Sequence, residues 1–295
     1  MLPFRRFWNQ FQQTLAGEPT TSANSRDTSA PNNTDTPPTD QPRDVSVWDA
    51  LKVRYILRNK INHPLPEELI DLILDSAEYW PSAEVAMPPG ERVIHKDRDQ
   101  VILKTIPLCY DRASLESCAS PLAMPHRGKH PCRKIIFHIS AHDQGGGRSG
   151  RRENMYEGSW TWFDTEVIRA AHLKNMYKDY KEQEVLENEQ GQVARHYGPE
   201  HPNLLPRGDK LQVNECRVLS MQEHTIVWHY LDNVPPDSLE AEEVERMQGR
   251  GRLTLDGRGV RELEVGDSIA VWARARFPGW SNWVARARVQ VFWAI

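Results

Sequence analysis

Hydrophobic positions along this chain follow three different periods. Near the start, Phe4, Phe7, Trp8, Phe11 and Leu15 recur at helical spacing beside Arg5 and Arg6, which predicts an amphipathic helix over residues 1–17. Residues 18–44 then carry no aliphatic side chain larger than Ala and no aromatic one. Such a segment buries too little apolar surface to offset the entropy of ordering it, so it reads as a disordered linker. From Val47 the period is helical again, with Trp48, Leu51, Val53, Tyr55, Ile56 and Leu57, and it breaks over Asn62–Pro66. A second helix follows, with Pro66 at its first turn, Glu67 and Glu68 at its positive end, and Leu69, Ile70, Leu72, Ile73 and Leu74 as its apolar side. The pair predicts a helical hairpin over residues 45–90, too small to stand alone.

Beyond Arg92 the period shortens to two. In RKIIFHISA, Ile135, Phe137, Ile139 and Ala141 alternate with Lys134, His138, Ser140 and His142. SWTWF, KLQVNECRVL and HTIVWHYL are further short runs of β-branched and aromatic residues. In DSIAVWARARF, Ile269, Val271, Ala273 and Ala275 alternate with Trp272, Arg274 and Arg276. In ARARVQVFWAI, Ala287, Val289, Val291, Trp293 and Ile295 alternate with Arg286, Arg288 and Gln290. Joined by FPGWSNW, these last two runs predict an antiparallel hairpin with one wet face. The fold class expected is mainly β: a jelly-roll-like antiparallel β-sandwich over residues 91–295, with a charged helical insertion at about 170–192 and another charged helix over 237–248.

Composition narrows the function. The chain has 295 residues, a net charge of −4 and 39% hydrophobic residues, so no overall basic charge points to nucleic acid. No apolar run reaches the ~20 residues of a membrane span, and the start lacks a signal-peptide pattern. Four irregularly spaced cysteines fit a reducing compartment, so an intracellular protein, cytoplasmic or nuclear, is expected. Cys118, His126, His130 and Cys132 are the right residue types for zinc, but their spacing matches no standard module, and no metal or other cofactor is expected. No GxSxG, HExxH or Cys/His nucleophile pattern occurs, which makes an enzyme the minority reading. His138, His142, His224 and His229 read as half-buried polar neighbours on strands.

The binding candidates cluster at the C-terminal pair of strands. Phe277, Trp280 and Trp283, with Asn282, surround Pro278-Gly279; such aromatics either stack on a ligand or plug the end of the sandwich. Arg274, Arg276, Arg286 and Arg288 are expected to share one face, answered by an external anion or by Glu240, Glu242, Glu243 and Glu245. His142 and Asp143 stand at the mouth of the glycine-rich loop HDQGGGRSGRREN, residues 142–154. The expected activity is non-catalytic recognition of a glycan or protein through these residues.

Two resemblances add to this. The string Leu65–Leu74, LPEELIDLIL, resembles the first helix of an F-box, which implies docking to a Skp-type adaptor through Leu65, Pro66, Leu69 and Ile73, in a substrate adaptor of a ubiquitin ligase. The continuation departs from that domain at Pro81, Pro88 and Pro89. The strings DQG (143–145), GSWTWF (158–163), HTIVWHY (224–230) and GDSIAVWARARFPGWSNWV (266–284) resemble an uncharacterised family of fungal proteins, with Gly146 where that family often has Trp. That resemblance implies a cytoplasmic fungal protein and no established activity.

Overall fold

The computed structural model describes residues 45–96, 98–118, 120–146, 155–173 and 210–295. The N-terminal helix, the linker, most of the glycine-rich loop and the charged insertion beyond residue 173 lie outside the described residues. The described residues belong to one compact unit.

Helix α1 spans Val47–Asn59 and is started by a capping box: the Ser46 hydroxyl accepts from the Asp49 N–H while the Asp49 carboxylate accepts from the Ser46 N–H, both at 3.1 Å. Helix α2 spans Glu67–Ser76, with Pro66 as its N-cap rather than inside its first turn. It buries Ile70 and Leu74. Ion pairs fasten the two helices to the rest. Arg54 reaches Glu67 at 2.6 Å and Asp71 at 2.5 Å, and donates to the Ile295 backbone oxygen at 2.8 Å. Arg127 pairs with Asp71 at 2.9 Å and with Asp75, whose carboxylate also accepts from the Trp80 indole at 2.9 Å.

Among the described residues, nine strands follow in two antiparallel sheets. They are β1 (Ser82–Ala86), β2 (Arg92–His95), β3 (Gln100–Lys104), β4 (Cys132–His142), β5 (Thr161–Ile168), β6 (Lys210–Val213), β7 (Gln222–His229), β8 (Ser268–Ala275) and β9 (Ser281–Trp293). The first sheet runs β1-β9-β4-β7, with β2 also paired to β9; the second runs β3-β8-β5-β6. Among the described residues, the short helices α3 (Arg112–Ser117), α4 (Leu239–Gln248) and α5 (Arg258–Arg261) lie between them. The helix expected over 237–248 is therefore present. Strand β1 falls inside the segment expected to be a helical hairpin, so that boundary moves back: Ser82–Ala86 pairs with Phe292–Arg288 and belongs to the first sheet.

The largest correction concerns the C-terminal strands. β8 and β9 do not form a hairpin; β8 pairs with β3 and β5, and β9 with β1, β2 and β4. The FPGWSNW segment is an arch that carries the chain from one sheet to the other. Its Phe277–Trp280 turn has the Trp280 N–H bonded to the Phe277 carbonyl at 3.1 Å, with Gly279 at φ 82° where a type II turn requires a left-handed residue. A Pro-Gly turn of this kind serves an arch as well as a hairpin, so local sequence does not separate the two.

Consequently, the face of β8 that alternation marks as wet is dry. Every residue of β8 is buried, and Arg274 is 1% exposed. Its guanidinium lies 4.7 Å from the Trp272 ring centre and pairs with Asp99 at 2.7 Å, with Asp164, and with Glu166 at 3.9 Å. Trp272 in turn packs in an apolar cluster with Val101, Ile168, Ala171 and Ala270. A buried cation is tolerated only when carboxylates answer it, and removing it strands their charge. Arg274→Ala is therefore expected to lower the free energy of unfolding in denaturant by about 3–5 kcal/mol. Arg286→Ala, at an exposed position of β9, should change it by less than about 0.5 kcal/mol.

Candidate ligand-binding face

Strand β4 sends Ile135, Phe137, Ile139 and Ala141 into the core and Lys134, Ile136, His138, Ser140 and His142 to the other face. Antiparallel pairing lines each of the latter up with neighbours on β9 and β7. Lys134 lies between Phe292 and His229, Ile136 between Gln290 and Val227, His138 between Arg288 and Thr225, and Ser140 between Arg286 and Glu223. His142 stands opposite Trp283. Strands are spaced ~4.8 Å apart and rows ~7 Å apart, so this is one continuous polar surface.

One end of the surface is closed. Lys134 pairs with Glu78, and its ammonium lies 4.8 Å from the Phe292 ring and 5.7 Å from the Trp80 ring. At the other end the surface opens into a groove of about 480 Å³. Two irregularities create it. Strands β1 and β2 pair end to end with the same strand, so Met87, Pro88 and Pro89 stand up between them as an apolar wall; the Met87 N–H is held by the Ala287 carbonyl at 2.8 Å. A register shift also leaves Ala285 without a partner on β4, a bulge that aims Arg286 across the groove.

Charge in the groove is balanced. The Ser140 hydroxyl donates to Glu223 at 2.7 Å, and Arg286 donates to the same oxygen at 3.2 Å. Arg288 lies 3.7 Å from Glu84. His138 shares a hydrogen bond of 3.1 Å with Thr225. Burial, then the neighbouring Arg288, hold its pKa below the usual histidine value, against an opposite pull from Glu84 and Glu223. Next to this row the Trp283 and His142 rings are stacked, 5.8 Å between centres and 7° from parallel, with the Trp283 indole N–H donating to the Ser281 hydroxyl at 2.9 Å.

The residues singled out in the sequence fall into three places. Trp283, His142, Arg286 and Arg288 come together on the outer face just described. Phe277 is exposed at the arch, where its ring meets Trp160 edge-on at 4.6 Å and Arg276 at 5.9 Å, while Trp280 is half-buried. The remaining three are interior and cannot meet a ligand there. Arg274 belongs to the second sheet. Asn282 is fully buried, donating to the carbonyls of Trp162 at 3.1 Å and Arg274 at 3.3 Å and accepting from Asn214 at 2.9 Å. Asp143 is also fully buried, its carboxylate accepting from the backbone N–H groups of Gly145 at 2.7 Å and of Arg217. Burial raises the Asp143 pKa, against the lowering effect of those N–H groups.

The four arginines thus do not share a face, and the acidic helix does not answer them. Arg274 is matched by Asp99, Asp164 and Glu166, Arg286 by Glu223 and Arg288 by Glu84, whereas Glu245 of α4 pairs with Arg252. Strand alternation had already put His138, Ser140, Arg286 and Arg288 on a wet face. Glu223 could have been found the same way, from its place one residue before HTIVWHY, in step with Thr225 and Val227. Nothing local marks Met87–Pro89 as a wall.

Among the described residues, no three His, Cys, Asp or Glu side chains gather closely enough to hold a metal ion. Cys132 is buried, which pushes its thiol up to about 12, and Cys118 is exposed. No protein-family model matches this chain, and neither the curated proteins nor the solved structures contain a match to it.

One histidine behaves differently from the three on the outer face. His224 of β7 points the opposite way, opposite Ile139, and its Nε2 has no hydrogen-bond partner among the described residues. Burial lowers its pKa to about 4, partly offset by Glu223. The folded state therefore resists a proton that the unfolded chain accepts near pH 6.5. Stability is expected to fall by about 2–3 kcal/mol as pH drops from 7 to 4.5. Urea unfolding of His224→Phe should lose most of that slope.

Proposed function

We propose that this protein is a non-catalytic recognition module whose ligand is a glycan lying along the outer face of the first sheet. The observation that carries this reading is the groove: an apolar wall at Met87–Pro89, balanced donors and acceptors on its floor, and the Trp283–His142 stack in the adjoining row. A sugar presents the same mixture, with C–H faces for an indole and hydroxyls that both donate and accept. A jelly-roll-like reading is supported by strand order, since β2-β9-β4-β7 lies against β3-β8-β5-β6 and most consecutive strands change sheet. The carboxylates beside Arg286 and Arg288 count against hydrolysis, and of the two only Glu223 lines the groove. Glu223 on β7 and Glu84 on β1 are three strands apart, ~14 Å across the sheet. Paired glycosidase carboxylates stand ~5–9.5 Å apart.

A glycan-array screen of the full chain tests the reading. Binding should fall about tenfold or more in Trp283→Ala and in Arg286→Ala, as expected for one lost stacking or charged hydrogen-bond contact. A wild-type chain that binds no glycan overturns it.

A second reading, a substrate adaptor that docks a Skp-type protein, is supported by the side of α2 that faces solvent. Leu69, Leu72 and Ile73 are 46%, 62% and 43% exposed, and Pro66 is exposed beside them. Leu65 is half-buried, and after Trp80 the chain enters β1 rather than a further helix. Co-purification with such an adaptor that is lost in Leu69→Asp, with the thermal midpoint unchanged, is the expected result. A Leu69→Asp chain that still co-purifies removes this reading.

A further inference from the structure

Among the described residues, strand β7 is the outermost strand on its side of the first sheet and pairs only with β4. In an antiparallel ladder, residues of one parity turn their N–H and C=O groups toward the neighbour and the others turn theirs away. Two contacts identify the outward parity. Arg250 donates to the Val227 carbonyl at 2.9 Å, and Asp232 accepts from the His229 N–H at 2.8 Å, both from beyond the edge. Glu223 and Thr225 share this parity, so their backbone groups also face outward. None of those four groups meets a partner among the described residues.

The edge is thus guarded over its second half and open over its first. Proteins normally protect such edges with a charge, a proline, a bulge or a covering loop. Here Arg250 and Asp232 do so only at Val227 and His229. The one charge on the open half, Glu223, is turned across the groove to Ser140 and Arg286. Exposed apolar side chains bracket the open half: Met221 is 43% and Val227 38% exposed.

We propose that the Met221–Val227 edge is a binding site for an extended polypeptide segment of another protein, taken up as an added strand of the first sheet. Only a polypeptide backbone offers alternating N–H and C=O groups at the ~7 Å repeat that Glu223 and Thr225 present. In such a strand, residues opposite Met221 and Val227 would be apolar, and the residue opposite Glu223 would be basic or carry a hydroxyl. The site shares the Glu223 side chain with the groove, but its outward backbone groups are read by peptide and not by glycan, so loss of glycan binding in Trp283→Ala leaves peptide binding unchanged.

A phage-displayed library of random 12-residue peptides, panned against the full chain, supplies the probe. Thr225→Pro removes one outward N–H at a position where an edge strand tolerates proline. It should weaken the selected peptides at least tenfold, while Thr225→Val binds them as the wild type does. Independently, amide hydrogen exchange at Glu223 and Thr225 in the wild-type protein should be fast without peptide and slow at least tenfold with it. That measurement decides the matter even if the proline variant does not fold. Failure to select any peptide, or binders that leave those two amides unprotected, overturns the proposal. Protection that appears with rising protein concentration alone also overturns it, assigning the edge to a second copy of the chain.

Discussion

Asn282 has no contact with solvent, yet its side chain makes three hydrogen bonds, and they join the two sheets. It sits at the start of β9 in the first sheet, donates to carbonyls of β5 and β8 in the second, and accepts from Asn214, which in turn donates to the Thr161 hydroxyl. A buried amide must satisfy its polar atoms or lose a large part of their hydration energy. The arch from β8 to β9 is therefore fixed in one register. β9 sets the positions of β1, β2 and β4, so the register passes to the whole first sheet. A slip of one residue would turn Trp283 inward and Val284 outward and erase the outer face.

The two sheets treat the same residue type in opposite ways. Arg274 is held dry among carboxylates, where charge interactions are strong and a lost partner is costly. Arg286 and Arg288 each have one carboxylate nearby in water, at 3.2 and 3.7 Å, where such pairs contribute little. Weak pairing leaves their guanidinium groups able to exchange partners without disturbing the fold. The stiff charges hold the scaffold together, and the loose ones are on the surface where a ligand can reach them.

Much of this was legible in the sequence. The alternation of β4 and β9 identified their buried sides correctly, and Val47–Asn59 and Glu67–Ser76 are helices as their periodicity requires. The failures share a cause: alternation reports that a strand has two kinds of face, but not what covers each. Trp272 and Arg274 looked wet because Asp99 and Asp164, which neutralise Arg274, are more than a hundred residues away in sequence. Likewise, Asn282 stood among the aromatics of FPGWSNW and Asp143 at the mouth of the glycine-rich loop, which suggested a ligand site. Their partners are instead the chain's own backbone, with the Asn214 side chain added for Asn282, and backbone contacts leave no mark on residue type. Strand β1 was missed because five residues with two alanines carry almost no periodicity.

The groove owes its depth to the gap between β1 and β2 on a single partner strand. Among the described residues, the gap is tied to the sheet by one backbone hydrogen bond, the Met87 N–H to the Ala287 carbonyl, and the strands on either side keep their own registers with β9. Lengthening or shortening the Met87–Glu91 segment would therefore not propagate into the sheet. In evolutionary terms this makes the wall a freely variable module, through which related chains could diverge in ligand preference while retaining the same core.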